Sequence, residues 1–256
     1  MKTTLASPAG LTSDFAFSFT AFFSRCCAWF LGFLWVMPLI YMVWAAFHSG
    51  SDAIYFSLDS DITLSNFAEA WHTTPFIRYV WNTFMIVSIL LVFQLIVCTL
   101  AAYALARVDF KGKVWVFGAI LLQLMIMPEA LISENYQQVA QLNSIDTYIG
   151  VAFPYIASAF GIFLLRQTFM QVPQELEDAA RIEGLGRVAT VLKVYVPLAK
   201  PTYIAYALVS ISHHWNNFLW PVVVTNTEAS RPITVGIALF ASPETGVDWG
   251  VLSAGT

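Results

Sequence analysis

Two stretches of this chain carry no charge at all, residues 26–47 and residues 79–106. About 20 apolar residues in a helix rising 1.5 Å per residue cross the ~30 Å hydrocarbon core of a bilayer, so either stretch can span one. Further apolar runs follow at 114–133, 147–165 and 202–225, the first of them interrupted near its end by Pro128 and Glu129. Trp249 opens a sixth run that has only eight residues before the chain ends at Thr256, too few to cross. With 58% hydrophobic residues the chain falls in the membrane class. The expectation is an all-α integral membrane protein of about six spanning helices, the sixth incomplete. Either the given chain is truncated or it departs from an even number of spans.

The start reads as an uncleaved first span. The Phe-rich run 15–23 could pass for a signal core, but Arg25 interrupts it and the apolar segment that follows is longer than such a core. The division is therefore an N-terminal segment 1–25 and a transmembrane domain 26–256. Cys26, Cys27 and Cys98 lie in or beside apolar runs without the spaced partners of a zinc site or a disulfide framework. No basic patch supports nucleic-acid binding.

Residues 166–200 break the apolar pattern with nine charged residues. At roughly 2.5 to 3.5 kcal/mol each, these could not sit in hydrocarbon, so the segment lies in water or against another protein. Pro173 suits a helix start, the acids Glu175, Glu177 and Asp178 suit its positive end, and Gly184 suits its stop. After Gly186, the apolar residues Val188, Val191, Leu192 and Tyr195 recur at helical spacing, which predicts a second, amphipathic helix ending at Pro197 with one face to be covered. The first helix is acidic, whereas a helix lying on a membrane surface is rich in Lys and Arg.

Alternating spans put Lys2, Arg25, Arg107, Lys111, Lys113, Arg166, Arg181, Arg187, Lys193 and Lys200 on one side, ten of the twelve basic residues, leaving Arg78 and Arg231 opposite. The basic side is cytoplasmic by the positive-inside rule, which makes the N-terminus and the loop 166–200 cytoplasmic and 226–248 an outer loop. In the outer interval 48–78, Leu64-Ser65-Asn66-Phe67 predicts a short capped helix, and His48 and His72 need no partner beyond water.

The sequence Glu-Leu-Glu-Asp-Ala-Ala-Arg-Ile-Glu-Gly at 175–184, with a proline thirteen residues later, resembles the EAA loop of ABC-importer permease subunits of the carbohydrate-uptake type. The resemblance extends through Asp-Thr-Tyr-Ile-Gly at 146–150, Phe-Leu-Leu-Arg-Gln at 163–167 and Trp-Asn-Asn-Phe-Leu-Trp-Pro at 215–221. It implies the fold of a type I ABC importer transmembrane domain and a coupling helix docked on a cytoplasmic ATPase. Asp178, Ala179, Ala180, Glu183 and Gly184 fall at the motif positions. Asp178 stands for the usual Glu, Glu183 for the usual Asp, and Leu185 is bulkier than the common Ala. The implied partners are a second permease subunit, two ATPase subunits that carry ATP and Mg, an external solute-binding protein and membrane lipid. This chain would need no cofactor. The implied place is the bacterial inner membrane, and the implied solute is a carbohydrate or glycerol-phosphate-like compound.

Polar groups at membrane depth are costly unless they face a cavity or a partner. In the fifth run His213, Asn216, Asn217 and Trp220 share one helical face at spacings of three and four. Trp faces pack on sugar C–H surfaces while Asn and His supply directed hydrogen bonds. Helix–helix hydrogen bonding with interfacial anchoring near Pro221 is the competing use of these four, and Gln123 of the third run is a further candidate to line the same pathway. No phosphate-binding loop, zinc-protease or serine-hydrolase motif is present, so the chain has no ATPase site of its own. An ion-driven carrier or a membrane scaffold is the alternative reading.

Overall fold

The computed structural model describes residues 9–55, 61–238 and 248–256, all helix and loop. Lys2 and most of the end of the expected outer loop 226–248 lie outside the described residues. The chain divides into two units, Met1–Thr73 with Phe240–Thr256, and Thr74–Leu239.

In the first unit α1 runs unbroken from Ala9 to Ala46, through the expected boundary at residue 25. Its apolar part Ala21–Ala46 leaves Trp29, Phe33 and Trp35 exposed. Such a helix is stable where lipid or another apolar chain covers it. α2 (Ser65–Thr73) is the expected short helix, with the Ser65 amide donating to Thr63 Oγ1. Asn66 then closes the end of α1, its Nδ2 donating to the carbonyls of Ala46 (3.0 Å) and His48 (2.8 Å). His48 is buried rather than solvated: its ring stacks on Trp44 and its Nδ1 lies 2.7 Å from the Trp44 carbonyl.

The second unit is built along α3 (Phe76–Arg107), a 32-residue helix that crosses in one piece. The other expected spans are broken. α4 (Lys113–Gln123) stops before Pro128, and the chain resumes through a short turn into α5 (Ile132–Gln141), bent 97° away. The pair α6 (Tyr148–Ala152), prolonged by a turn to Tyr155, and α7 (Ala159–Gln171) meets at 54°. The charged loop holds α8 (Gln174–Ile182) and a helical elbow Arg187–Leu198, made of α9 (Arg187–Thr190), a π-turn Val191–Tyr195 and α10 (Val196–Leu198). The elbow meets α11 (Lys200–Trp215) at 80°.

The fifth span, expected as one helix over 202–225, ends at Trp215 and resumes as α12 (Leu219–Val224). Pro221 is the cause: it has no amide to give the Asn217 carbonyl, and its ring clashes with that carbonyl in a helix. Thr234 Oγ1 supplies the missing bond, donating to Asn217 O at 2.8 Å from α13 (Ile233–Ala238). In hydrocarbon a freed carbonyl needs such a replacement. α14 (Trp249–Gly255), capped by Asp248, packs on α1 and α2 in the first unit.

Lipid tails are as apolar as Leu, so helices associate here by close packing around small residues. α7 lies along α3 at Gly161, where a Cβ would stand 2.7 Å from the Tyr206 ring and 2.9 Å from Cys98 Sγ. Below this contact Ala102, Leu105, Leu165, Phe169, Val191 and Tyr195 form a buried core between α3, α7 and the elbow.

At the other end of the unit Asp146 clips residues 226–230. It accepts from the amides of Asn226 (2.8 Å) and Thr227 (3.0 Å) and from the hydroxyls of Thr227 and Ser230. Burial acts to raise its pKa, but these donors outweigh it and hold the carboxyl at about 2, below its ordinary 3.8. With the folded pKa depressed, the clip contributes fully above about pH 4 and is lost as pH falls through about 2. Asp146→Ala is expected to raise hydrogen exchange at the Asn226 and Thr227 amides by about tenfold or more at pH 7, since a charge-assisted bond is worth about 1.5–3 kcal/mol. Unchanged exchange there would refute the clip.

Candidate functional site

α8 begins after Pro173, and its acids Glu175 and Glu177 lie in the first turn, where they meet the positive end of the helix dipole. It ends at Gly184, whose φ of +81° is left-handed, a conformation that costs an L-residue about 1–2 kcal/mol. Gly184 N donates to Arg181 O and Leu185 N to Ala180 O, both at 3.0 Å, which satisfies carbonyls the helix end would orphan. The expected pair of helices around a glycine hinge is therefore present.

Its faces divide sharply. Asp178, Ala179, Glu183 and Gly184 are exposed, and Ile182 is 88% exposed beside them. Ala180, expected on the docking surface, instead points inward and is buried. Ile182 was missed in the sequence, although its spacing of four from Asp178 and three from Ala179 puts it on their face. An apolar side chain ringed by acids and a bare alanine is a surface that a partner with basic and apolar groups would fit.

The inner face carries Glu177, 2% exposed. Its Oε2 accepts from Tyr195 Oη at 2.5 Å, and its Oε1 from Arg181 at 2.7 Å and Tyr103 Oη at 3.3 Å. Burial pushes the carboxyl up, but the Tyr195 bond, the charge and hydrogen bond of Arg181 and the Tyr103 bond together hold it below the ordinary value, so it is ionised. Arg107, at the end of α3, donates to the carbonyls of Phe169 and Val172 and to Gln174 Oε1.

Within the bundle a cavity of about 350 Å³ opens between α3, α7 and α11. Its wall includes Gln123, Ser158, Ser210, His213 and His214, with Phe160 and Tyr155 as aromatic faces. No Asp, Glu, Lys or Arg is among these described lining residues. Gln94 organises the wall. Its Oε1 accepts from Tyr206 (2.9 Å) and Ser210 (2.6 Å), and its Nε2 donates to the Tyr155 carbonyl (2.7 Å). A carbonyl can only accept, so the amide orientation is fixed. The same Nε2 stands 3.3 Å from His214 Nε2.

The fifth-run candidates separate. His213 and Gln123 reach this cavity. Asn216 sits in the helix break, exposed, its Nδ2 donating back to Ser212 O, and Asn217 lies beside a smaller recess with Thr83 and Pro221. Trp220 is 1% exposed, donates to the Val151 carbonyl at 3.0 Å and packs among Ile86, Val139, Val151 and Val224. It is core, because the break at Asn216–Phe218 turns it off the face of His213. Gln94, Tyr206 and Ser210 were missed; Gln94, the amide in the middle of a 28-residue uncharged run, was the available signal.

Replacing Gln94 by Leu removes the acceptor of the Tyr206 and Ser210 hydroxyls and the donor to the Tyr155 carbonyl at membrane depth. The loss of stability is expected at about 2–4 kcal/mol, given about 1–3 kcal/mol for each unsatisfied buried group. A thermal melt of the detergent-solubilised protein measures it, and a melting temperature within error of wild type would contradict the network.

A family model described as binding-protein-dependent transport system inner membrane component matches residues 6–254. The chain is 32% identical over 234 residues to the arabinooligosaccharides transport system permease protein AraQ of Halalkalibacterium halodurans, covering 89% of this chain and 83% of that protein. It is 32% identical over 196 residues to the sn-glycerol-3-phosphate transport system permease protein UgpE of Yersinia enterocolitica, covering 74% of this chain and 70% of the relative. In fold it is similar to a chain of a bacterial ABC transporter involved in the import of the acidic polysaccharide alginate. The TM-score is 0.79 at 23% identity, over 99% of this chain and 93% of that one.

Proposed function

The chain belongs to the family of binding-protein-dependent transport system inner membrane components, and from that membership we propose how its two sites work. It forms half of a translocation pathway in the bacterial inner membrane, with the N-terminus and α8 on the cytoplasmic side. A second permease subunit supplies the other half, an external binding protein delivers the solute, and two ATPase subunits holding ATP and Mg drive the cycle. The chain itself hydrolyses nothing.

The observation that carries this reading is the exposed acid–apolar face of α8, held at a fixed angle by the left-handed Gly184. Closure of the ATPase pair pushes on Asp178, Ala179, Ile182 and Glu183, and the helix passes that displacement to the bundle. The gathering of ten of twelve basic residues on one side supports the orientation.

The solute is a carbohydrate or glycerol-phosphate-like compound, as the solutes for which the relatives are named suggest. Uncharged hydrogen-bonding groups beside aromatic faces favour the carbohydrate end of that range, because a phosphate entering here meets no Lys or Arg among the described lining residues. AraQ is named for arabinooligosaccharides and UgpE for sn-glycerol 3-phosphate. A related alginate importer has been solved with a periplasmic protein bound to an alginate pentasaccharide.

Gly184→Val tests the coupling role. A Cβ there meets nothing within 4 Å, so the whole effect is backbone strain at the hinge. Uptake of arabinooligosaccharide or glycerol 3-phosphate, whichever the wild type takes up, is expected to fall by more than about fivefold, the lower range of coupling between sites. Ile182→Arg, on a side chain already in solvent, is expected to release the co-purifying ATPase. Normal uptake in both variants would sink the reading.

A further inference from the structure

We propose that Glu177 is the positioning residue that welds the coupling helix to the bundle, so that a push on the outer face of α8 reaches α3 and the elbow together. The proposal rests on the coupling reading above and adds to it a residue that lies outside the docking face.

Glu177 is the single side chain that α8 sends into the protein as a charge, and it is 2% exposed. A buried carboxylate persists only where its oxygens are filled by donors. Here the donors come from two other elements. Tyr195 belongs to the π-turn of the elbow, 18 residues on, and Tyr103 to α3, 74 residues back. The two tyrosine rings also meet edge to face, 5.2 Å between centroids, so the hydroxyls that grip the carboxylate are themselves packed together.

Arg107 adds a second tie. Its guanidinium stacks over Tyr195 at 5.4 Å and holds the C-terminal carbonyls of α7, while its Nε lies 4.0 Å from Glu177 Oε2. That Nε is buried and has no hydrogen-bond partner. The carboxylate therefore sits where α3, the end of α7, α8 and the elbow converge. Short charge-assisted bonds transmit displacement because stretching them is costly, whereas apolar contacts can slide. A π-turn at the same point, where the helix ladder is locally rearranged, gives the elbow a place to yield. The carboxylate sets how the push divides between α3 and the elbow.

The test uses the complete transporter in liposomes, with the external binding protein isolated together with its bound solute, and reads ATP hydrolysis with and without that protein. Glu177→Gln, Glu177→Leu and Tyr195→Phe are expected to keep the ATPase subunits bound and basal hydrolysis intact. Stimulation by the binding protein is expected to drop about tenfold, within the 5- to 150-fold range typical of coupling between sites. Tyr103→Phe, which removes the longest of the bonds, is expected to give a smaller drop. Wild-type stimulation in the Glu177 and Tyr195 variants would overturn the proposal. Loss of the bound ATPase would overturn it as well, since Glu177 would then serve only the shape of the docking face. If Glu177→Leu does not assemble, Tyr195→Phe decides, because it removes one hydroxyl and leaves the ring. A wild type with neither bound ATPase nor stimulation would refute the coupling reading itself, a distinguishable result.

Discussion

Hydrocarbon offers no hydrogen-bond partner, and the second unit is shaped by that constraint more than by any apolar contact. An unbroken helix such as α3 meets it by itself; the broken spans cannot. At the Asn216–Phe218 break the Asn217 carbonyl is taken by Thr234, and Trp220 finds the Val151 carbonyl near the end of α6. Ser158 caps α7 by accepting the Gly161 amide at 3.1 Å, just where the 54° bend leaves a helix start in the bundle. These two breaks are thus closed by side chains, Thr234 from elsewhere in the chain and Ser158 at the helix start itself. The cavity exists because the bends open space between α3, α7 and α11 that straight helices would fill.

The apolar runs were legible in the sequence because spanning length and absence of charge act locally. So was the glycine hinge, since Gly184 is the residue that a left-handed helix stop requires. The bends were legible only in part: Pro128 marked one, but Pro221 acts four residues upstream, on Asn217, and so misplaced the end of the fifth span. The face shared by His213, Asn216, Asn217 and Trp220 dissolved for that reason. His48 looked like a solvated loop residue, although the ring it stacks on stands only four residues back; what no local pattern gives is Asn66, 18 residues on, bonded to its carbonyl. Glu177 was invisible as a buried group because its partners stand 18 and 74 residues away. In the sequence it is one more acid at a helix start.

Two carboxylates at opposite ends of the second unit solve related problems differently. Asp146 is half-buried and binds mostly backbone amides and hydroxyls of one loop, fixing residues 226–230 against the start of α6. Glu177 is buried and binds side chains from separate elements. The first arrangement shapes a loop locally and is indifferent to motion elsewhere. The second links side chains of separate helices, and its geometry changes if any of them shifts.

That difference bears on how α8 is divided. Its outer residues Asp178, Ala179, Ile182 and Glu183 are exposed, so on the proposed coupling reading a partner's surface sets what they must be. Its inner residues Glu177 and Ala180 face this chain's own core: Ala180 is buried there, and two tyrosine hydroxyls and Arg181 converge on Glu177. Breaking a buried charge network by removing one partner typically costs about 3–5 kcal/mol, while exposed positions usually shift stability by less than about 0.5 kcal/mol. A helix built this way can change the motor it fits without changing how it is held. The Gly184 stop makes the separation possible, because it ends the helix at the turn where the outer face is complete and returns the chain toward Tyr195.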